Sequence, residues 1–399
     1  MEWFTGSFTQ QEPIPPEGIE AALAVLHHGR LHRYNVVPGE VAEAALLEAE
    51  FAAAMGAKYC LAVASGGYAL GAALRAVGVK PGEPVLTNAF TLAPVPGAIA
   101  AVNALPVFVE VTDRLVLDLD DLERKAPGCR VLMLSHMRGH ICDMDRLMAI
   151  CQQLRVVVIE DCAHTMGASW RGLPSGRHGL IGCYSTQTYK HMNSGEGGLL
   201  VSDDPQVMAR AVMLSGSYML YGRHLAAPGP EVFEDIRYET PNVSGRMDNL
   251  RAAVLRPQLR ALAAQCARWN ERYLVVETGL RGTPGLSVIE RGEGEAYVGS
   301  SIQFLLPGWT GQDVQAVVTR CLARGVELKW FGAAEPVAFT SRHDSWRYAG
   351  RQDLPQTDRI LAGLLDMRLP LTFSLADCAQ IAQIIRAEVS GVWQAVAAE

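Results

Sequence analysis

The spacing of apolar residues changes along this chain, and the changes divide it into parts. A Pro-rich arm runs to about Glu17, after which Ile19–His28 repeats its apolar positions at helical spacing and GRLHRYN reads as a loop. From Glu40 to Met55, EVAEAALLEAEFAAAM consists largely of strong helix formers. Short runs of Val, Leu and Ala then alternate with helical stretches. YCLAVA precedes GYALGAALRAVG, PVLTNA precedes LAPVPGAIAAVN, and LPVFVEV, RVLMLSH, MDRLMAICQQL, VVVIED, IGCYS and GGLLVS follow. Strands apolar on both faces and separated by helices predict an α/β fold, a mostly parallel sheet flanked by helices. Asn249–Leu274 reads as a long helical pattern in which Pro257 predicts a kink or a restart. YVGSSIQFLLP, a helix over Gly311–Arg324, VELKW and a final helix over Ala376–Trp393 predict a small α+β domain. The boundary is expected within 260–280, giving a large domain over 1–265 and a small C-terminal one over 266–399.

Composition narrows the class of partner. The chain has 399 residues, 49% of them hydrophobic and 19% charged, which suits two globular domains with generous cores. A net charge of -7 argues against nucleic acid or an anionic membrane, since both select basic surfaces. A small-molecule substrate fits better. The nine cysteines stand singly, with no C-x-x-C pair, so reduced thiols of a cytoplasmic protein are expected. The N-terminal stretch carries acids and prolines where a signal peptide needs a basic patch and an apolar run. The longest uncharged run, Val85–Val109, contains three prolines, so no membrane span is expected.

The stretch from Val156 to Asp204 carries the candidate chemistry. Asp161 directly follows an apolar strand and so stands at its carboxyl end, where open α/β sheets bind ligands. A carboxylate there could hold the pyridinium nitrogen of pyridoxal phosphate, or simply cap a helix. Lys190 follows a second strand, among small and hydroxylic residues and before GEGG. A partly desolvated lysine has the lowered pKa that a Schiff-base amine needs, whereas a lone lysine is ordinarily a solvated surface charge. His136 and His140 are four apart in SHMRGHICDMD, but Gly139 and the preceding strand argue for a loop and no third ligand is evident, so no metal is expected. Arg138 could hold a substrate carboxylate by a bidentate pair, or form a surface salt bridge.

Taken together, EAEFAAAMGAKYCLAVASGGYALGAALRAVGVKPGEPVLTNAFT, PVFVEV, SHMRGHICDMD, IEDCAHTMGA, YSTQTYKHMNSGEGG, GRMDNLRAAVLRPQL and LPQTDRILAGLLDMRLPL resemble the DegT/StrS-type sugar aminotransferases, which are fold-type-I pyridoxal phosphate enzymes. The resemblance implies Lys190 as the Schiff-base lysine, Asp161 as the partner of the pyridine nitrogen and His164 as the residue beside the ring. It further implies Ser185 and Gln187 as cofactor contacts, the turn Ser65–Leu70 with Gly66, Gly67 and Tyr68 as the phosphate cradle, and Phe90 as an aromatic stacked on the ring. Arg138 and Tyr189 are then substrate-side residues. The family usually has threonine where this chain has Gly67, and TPNVSGRMDNL departs from the element whose asparagine reaches the partner subunit's phosphate, a place that Asn242 or Ser244 could take. A homodimer with shared active sites is implied. So is transfer of an amino group from glutamate or glutamine to a keto-sugar, keto-cyclitol or related keto acceptor, in glycan or secondary-metabolite biosynthesis. The bulk of Tyr68 and Tyr189 favours an alternative, a non-transaminating elimination, replacement, cyclisation or carbon–carbon bond formation on the same fold. A regulator without turnover is a further alternative, against which the intact Lys190, Asp161 and Ser185 speak.

Overall fold

The structure is a computed structural model that describes residues 3–398; Met1, Glu2 and Glu399, the ends of the two expected domains, lie outside it. Seven strands form the central sheet: β1 (Tyr59–Val63), β2 (Pro84–Asn88), β3 (Leu105–Val109), β4 (Val131–Ser135), β5 (Val157–Asp161), β6 (Ile181–Ser185) and β7 (Gly198–Ser202). Their order across the sheet is β1-β7-β6-β5-β4-β2-β3, and β7 alone runs antiparallel to its neighbours. The carboxyl ends of β1, β4, β5 and β6 therefore open on the same side. Apolar side chains of this sheet are buried on both faces, which is why its strands read as near-continuous hydrophobic runs.

Helices α1 (Pro16–His28) and α2 (Glu43–Met55) precede the sheet, and α3 (Gly66–Ala76) starts directly after β1. Next come α4 (Pro94–Ala101), α5 (Leu119–Lys125), α6 (Met144–Leu154), α7 (Pro205–Ser215) and α8 (Phe233–Glu239). α9 (Asn249–Leu280) is one helix of 32 residues that runs through Pro257 without the restart the sequence suggested. Proline removes one backbone donor, and packing against α1, α2 and α12 (Leu375–Ala398) along its length keeps the helix continuous.

A second, antiparallel sheet is built from β8 (Ser287–Val288), β9 (Ser301–Leu305), β10 (Lys329–Trp330) and β11 (Leu364–Arg368), in the order β8-β9-β11-β10. With α10 (Gly311–Ala323), α12 and the last turns of α9 it encloses its own core. α11 (Pro355–Ala362) leads into β11. The expected boundary at 265/266 falls inside α9. Ala252 and Leu255 of this helix pack with the large sheet, whereas Tyr273, Val276 and Leu280 pack with the small one. The N-terminal arm also crosses over. Phe4 and Phe8 each meet Phe373 edge-on at 5.0 Å within the C-terminal core. Among the described residues, no helix is long and apolar enough to cross a membrane.

Candidate active site

A cavity of about 510 Å³ lies where the carboxyl ends of the parallel strands face the small sheet. Its floor is set by three neighbouring strand ends. β4 ends in Ser135, β5 in Asp161 and β6 in Ser185, and all three residues are buried and line the cavity. Asp161 is held rigidly. Its Oδ1 accepts the backbone N–H of Ala163 at 3.1 Å, and its Oδ2 accepts the hydroxyl of Ser135 at 3.0 Å. Ser135 in turn accepts from the Thr91 hydroxyl at 2.8 Å and donates its N–H to Asn88 at 2.9 Å. Burial pushes the Asp161 carboxyl above its ordinary range, and the Ala163 N–H bond and the charge of Lys190 pull the other way. A cationic group placed against this carboxylate would relieve the burial penalty.

Lys190 lies in the loop after β6, half-buried, with Nζ 2.8 Å from Nε2 of His164. Burial, then the positive charge of Arg138, pushes its amine down to about 7, with Asp161 opposing. His164 is held well below its ordinary value, first by burial and then by Lys190, so its neutral ring presents Nε2 to the amine. Among the described residues its buried Nδ1 has no partner.

The third wall is an anion cradle. The Ser65 hydroxyl accepts the N–H of Tyr68 at 3.0 Å and starts α3, while Gly66 and Gly67 line the cavity with first-turn N–H groups that the helix itself cannot satisfy. A Cβ on Gly66 would stand 2.8 Å from that of Ser185, so the helix end can approach β6 this closely only with glycine there. Gln187, close in sequence to Ser185, completes this side of the cavity. These groups fit pyridoxal phosphate. Helix N–H groups and a serine would hold its phosphate, a buried carboxylate would face its ring nitrogen, and a lysine of lowered basicity would supply the imine nitrogen.

The structure thus gathers Gly66, Gly67, Arg138, Asp161, His164, Ser185, Gln187, Tyr189 and Lys190, and three expected residues are elsewhere. The ring of Phe90 is buried in a separate apolar cluster, edge-on to Phe331 at 5.0 Å, and Leu92, two residues on, lines the cavity instead. Tyr68 turns away, its hydroxyl donating to the carbonyl of Leu214 at 2.8 Å and its ring packed against Gly245, so its bulk does not reshape the pocket. Asn242 is exposed and accepts the N–H of Ser244 at 3.0 Å, outside this chain's own cavity. Arg138 is buried rather than on the surface, and one of its N–H groups is bound to Asp366 at 2.7 Å. His136 and His140 bond to different partners, Glu160 at 2.9 Å and Gln303 at 2.8 Å.

The sequence reading overlooked Leu92, Trp269, Phe339, Arg368 and Leu369, which also line the cavity. One signal was legible. In LLDMR, two charged residues alternate along a strand whose other positions are apolar, which places Asp366 and Arg368 on one face.

Comparison with known proteins extends this reading. A family model described as the DegT/DnrJ/EryC1/StrS aminotransferase family matches residues 17–386. The 3-amino-5-hydroxybenzoate synthase of Amycolatopsis mediterranei is 33% identical over 70% of this chain and 71% of its own length. The L-glutamine:2-deoxy-scyllo-inosose aminotransferase of Streptomyces lividus is 32% identical over 71% of this chain and 67% of its own. A relative from Micromonospora echinospora is 40% identical over a shorter stretch, 41% of this chain and 40% of that protein. Among solved structures, a 3-amino-5-hydroxybenzoic acid synthase superposes with a TM-score of 0.82 at 27% identity, covering 96% of this chain and 99% of that one.

Proposed function

The chain belongs to the DegT/DnrJ/EryC1/StrS aminotransferase family and is a pyridoxal-phosphate-dependent aminotransferase, and from that premise we propose that it moves the amino group of L-glutamine or L-glutamate to a keto-cyclitol or keto-sugar in secondary metabolism. The observation that carries the proposal is the Lys190 amine, its basicity lowered to about 7 by burial, beside His164 and in the same cavity as the buried Asp161. The choice of donor and acceptor rests on named relatives such as the L-glutamine:2-deoxy-scyllo-inosose aminotransferase. The alternative of a non-transaminating reaction drew on the bulk of Tyr68 and Tyr189; the Tyr68 ring is outside the cavity, whereas Tyr189 lines it.

Bound pyridoxal phosphate supplies an electron sink for charge that develops at the substrate's α-carbon. Gly66, Gly67, Ser185 and Gln187 would hold its phosphate side, and Asp161 would face its ring nitrogen. Asp161 is already fixed by Ser135 and Ala163, so its charge needs no reorganisation during the reaction. Lys190 Nζ, uncharged above about pH 7, takes a proton from the donor's α-carbon and later gives it up. His164 Nε2 shares a hydrogen bond with that amine and keeps it oriented. Trp269 and Leu369 supply apolar wall to the same cavity. We assign the enzyme to the cytoplasm, acting as a homodimer in which Asn242 reaches the second copy's phosphate site.

The test is amine transfer by the purified protein loaded with pyridoxal phosphate, using L-glutamine with scyllo-inosose and mass detection of an amino-cyclitol. Visible absorbance that L-glutamine discharges and scyllo-inosose restores is the expected result. Absorbance unmoved by either amino acid, or turnover that survives Lys190→Ala, would defeat the assignment.

A further inference from the structure

The residue after Lys190 is a histidine to which the chemistry above gives no part. His191 is buried, and both of its ring nitrogens are engaged. Nδ1 lies 2.7 Å from the backbone carbonyl oxygen of Met166, which can only accept, so Nδ1 carries the proton of the ring. Burial pushes the basicity of His191 down to about 4, with the Met166 bond opposing, and the ring is neutral around pH 7. Nε2 is then an acceptor, and the Ser300 hydroxyl, 2.9 Å away, donates to it.

The two partners belong to different parts of the site. Met166 lies in the turn after β5, two residues beyond His164. Ser300 directly precedes β9 of the small sheet, and its carbonyl accepts the N–H of Leu369, the residue after β11, at 3.0 Å. The carbonyl of Leu369 accepts Nε1–H of Trp269 at 3.0 Å, and the Trp269 ring closes the circuit against the His191 ring, 5.1 Å between centroids. Ser300, Leu369 and Trp269 all line the cavity. A buried neutral histidine ordinarily does no more than fill a polar gap in a core. Here its bonds run from the turn that carries His164 to the wall built by the small sheet, and they cross the backbone that carries the reactive amine. The N–H of Lys190 itself donates to the Gln187 carbonyl at 2.8 Å, a bond internal to the loop. Further along, Asn193 exchanges two hydrogen bonds of 2.8 Å with Gln258, but that anchor reaches α9 and not the small sheet.

We infer that His191 is a positioning residue for Lys190: by bridging Met166 and Ser300 it fixes the lysine backbone between the two sheets, so that Nζ takes up and returns its proton from one orientation. It also ties that orientation to the place of the small sheet. A lysine side chain has many rotamers, and a wandering backbone would multiply the orientations from which proton transfer must start. The proton-transfer part of this inference rests on the transaminase reading given above, whereas the anchoring part does not.

The experiment compares wild type, His191→Asn, Ser300→Ala and the double variant. Asparagine can still donate to the Met166 carbonyl but is too short to reach Ser300 as well, and Ser300→Ala removes the same bond with the histidine in place. In the cofactor-free proteins at pH 8, stopped-flow absorbance follows the capture of pyridoxal phosphate, which each single variant slows by about 3- to 10-fold, the effect of one hydrogen bond. In the loaded proteins the half-reaction at saturating L-glutamine slows by a similar factor, the half-saturating concentration is unchanged, and the isotope effect with α-deuterated L-glutamine grows. The double variant is no slower than either single one, because both substitutions remove the same bond. Losses that multiply in the double variant would overturn the inference, as would capture at the wild-type rate in Ser300→Ala. So would a change confined to the half-saturating concentration, which would mean that Ser300 meets the substrate instead. Ser300→Ala decides the matter alone if His191→Asn folds poorly in a urea titration. Should L-glutamine leave the wild-type absorbance unmoved while capture shows losses that do not multiply, the anchoring of Lys190 stands and the proposed donor is wrong.

Discussion

Nζ of Lys190 and Nε2 of His164 stand 2.8 Å apart, and the charge of each depends on the other's surroundings. Burial lowers both basicities, so above about pH 7 a neutral amine meets a neutral imidazole. In the cofactor-free protein, the rate of capture of pyridoxal phosphate should therefore rise with pH around a midpoint near 7, not near 10, as stopped-flow absorbance would show. Stability follows the same group. The folded lysine titrates below its ordinary 10.5, so between about 7 and 10.5 the unfolded chain holds the extra proton and stability rises with pH. Below that window Lys190 disfavours the fold. Urea titrations of cofactor-free Lys190→Met should thus show greater stability than wild type at pH 6.5, with the gap narrowing toward pH 10.

Asp161 offers a second check. Asp161→Asn keeps the bonds to Ser135 and Ala163 within reach but removes the charge. Lys190 is intact, so the visible absorbance should survive. Turnover should fall by about 10- to 100-fold or more, the loss of one charged contact at the ring nitrogen, measured as kcat at saturating substrates.

The two glycines that open α3 should respond in opposite ways. A side chain at Gly66 meets Ser185 at 2.8 Å, so Gly66→Ala should weaken cofactor retention and destabilise by about 1–3 kcal/mol. At Gly67 the nearest atoms are 3.9 Å and 4.0 Å from an added Cβ, in Pro94 and Ser65. Gly67→Thr should fold normally and, through one added hydroxyl, tighten pyridoxal phosphate by about tenfold, read by equilibrium dialysis.

Breaking the buried pair of Arg138 and Asp366 leaves an uncompensated charge. Asp366→Asn should lower the unfolding free energy by about 3–5 kcal/mol in urea, and Arg138→Met combined with Asp366→Leu should recover most of it.

Much of this site could be read from the sequence because its groups sit where strands end. Asp161 and Ser185 close apolar runs, and the glycines of α3 follow one, so strand periodicity alone brings them to one edge of the sheet. Side-chain direction was harder to read. Phe90 and Leu92 differ by two positions in a loop, where no period fixes which one faces the cavity, and tertiary packing sent Phe90 toward Phe331. The bulk of Tyr68 seemed significant only because the groove beside Gly245 and Leu214, distant in sequence, could not be foreseen. The same holds for the N-terminal arm, whose Phe4 and Phe8 pack on Phe373, more than three hundred residues downstream. The ion pair of Arg138 with Asp366 joins β11 to the turn after β4, and pairings of such separation leave no trace in local pattern.

The link between Arg138 and Asp366 also bears on how molecules enter. It ties one unit of the chain to the other at the wall of the pocket, and swinging them apart there would strand two charges away from water. The wall of the pocket is thus stapled from within by opposite charges, one from the turn after β4 and one from β11.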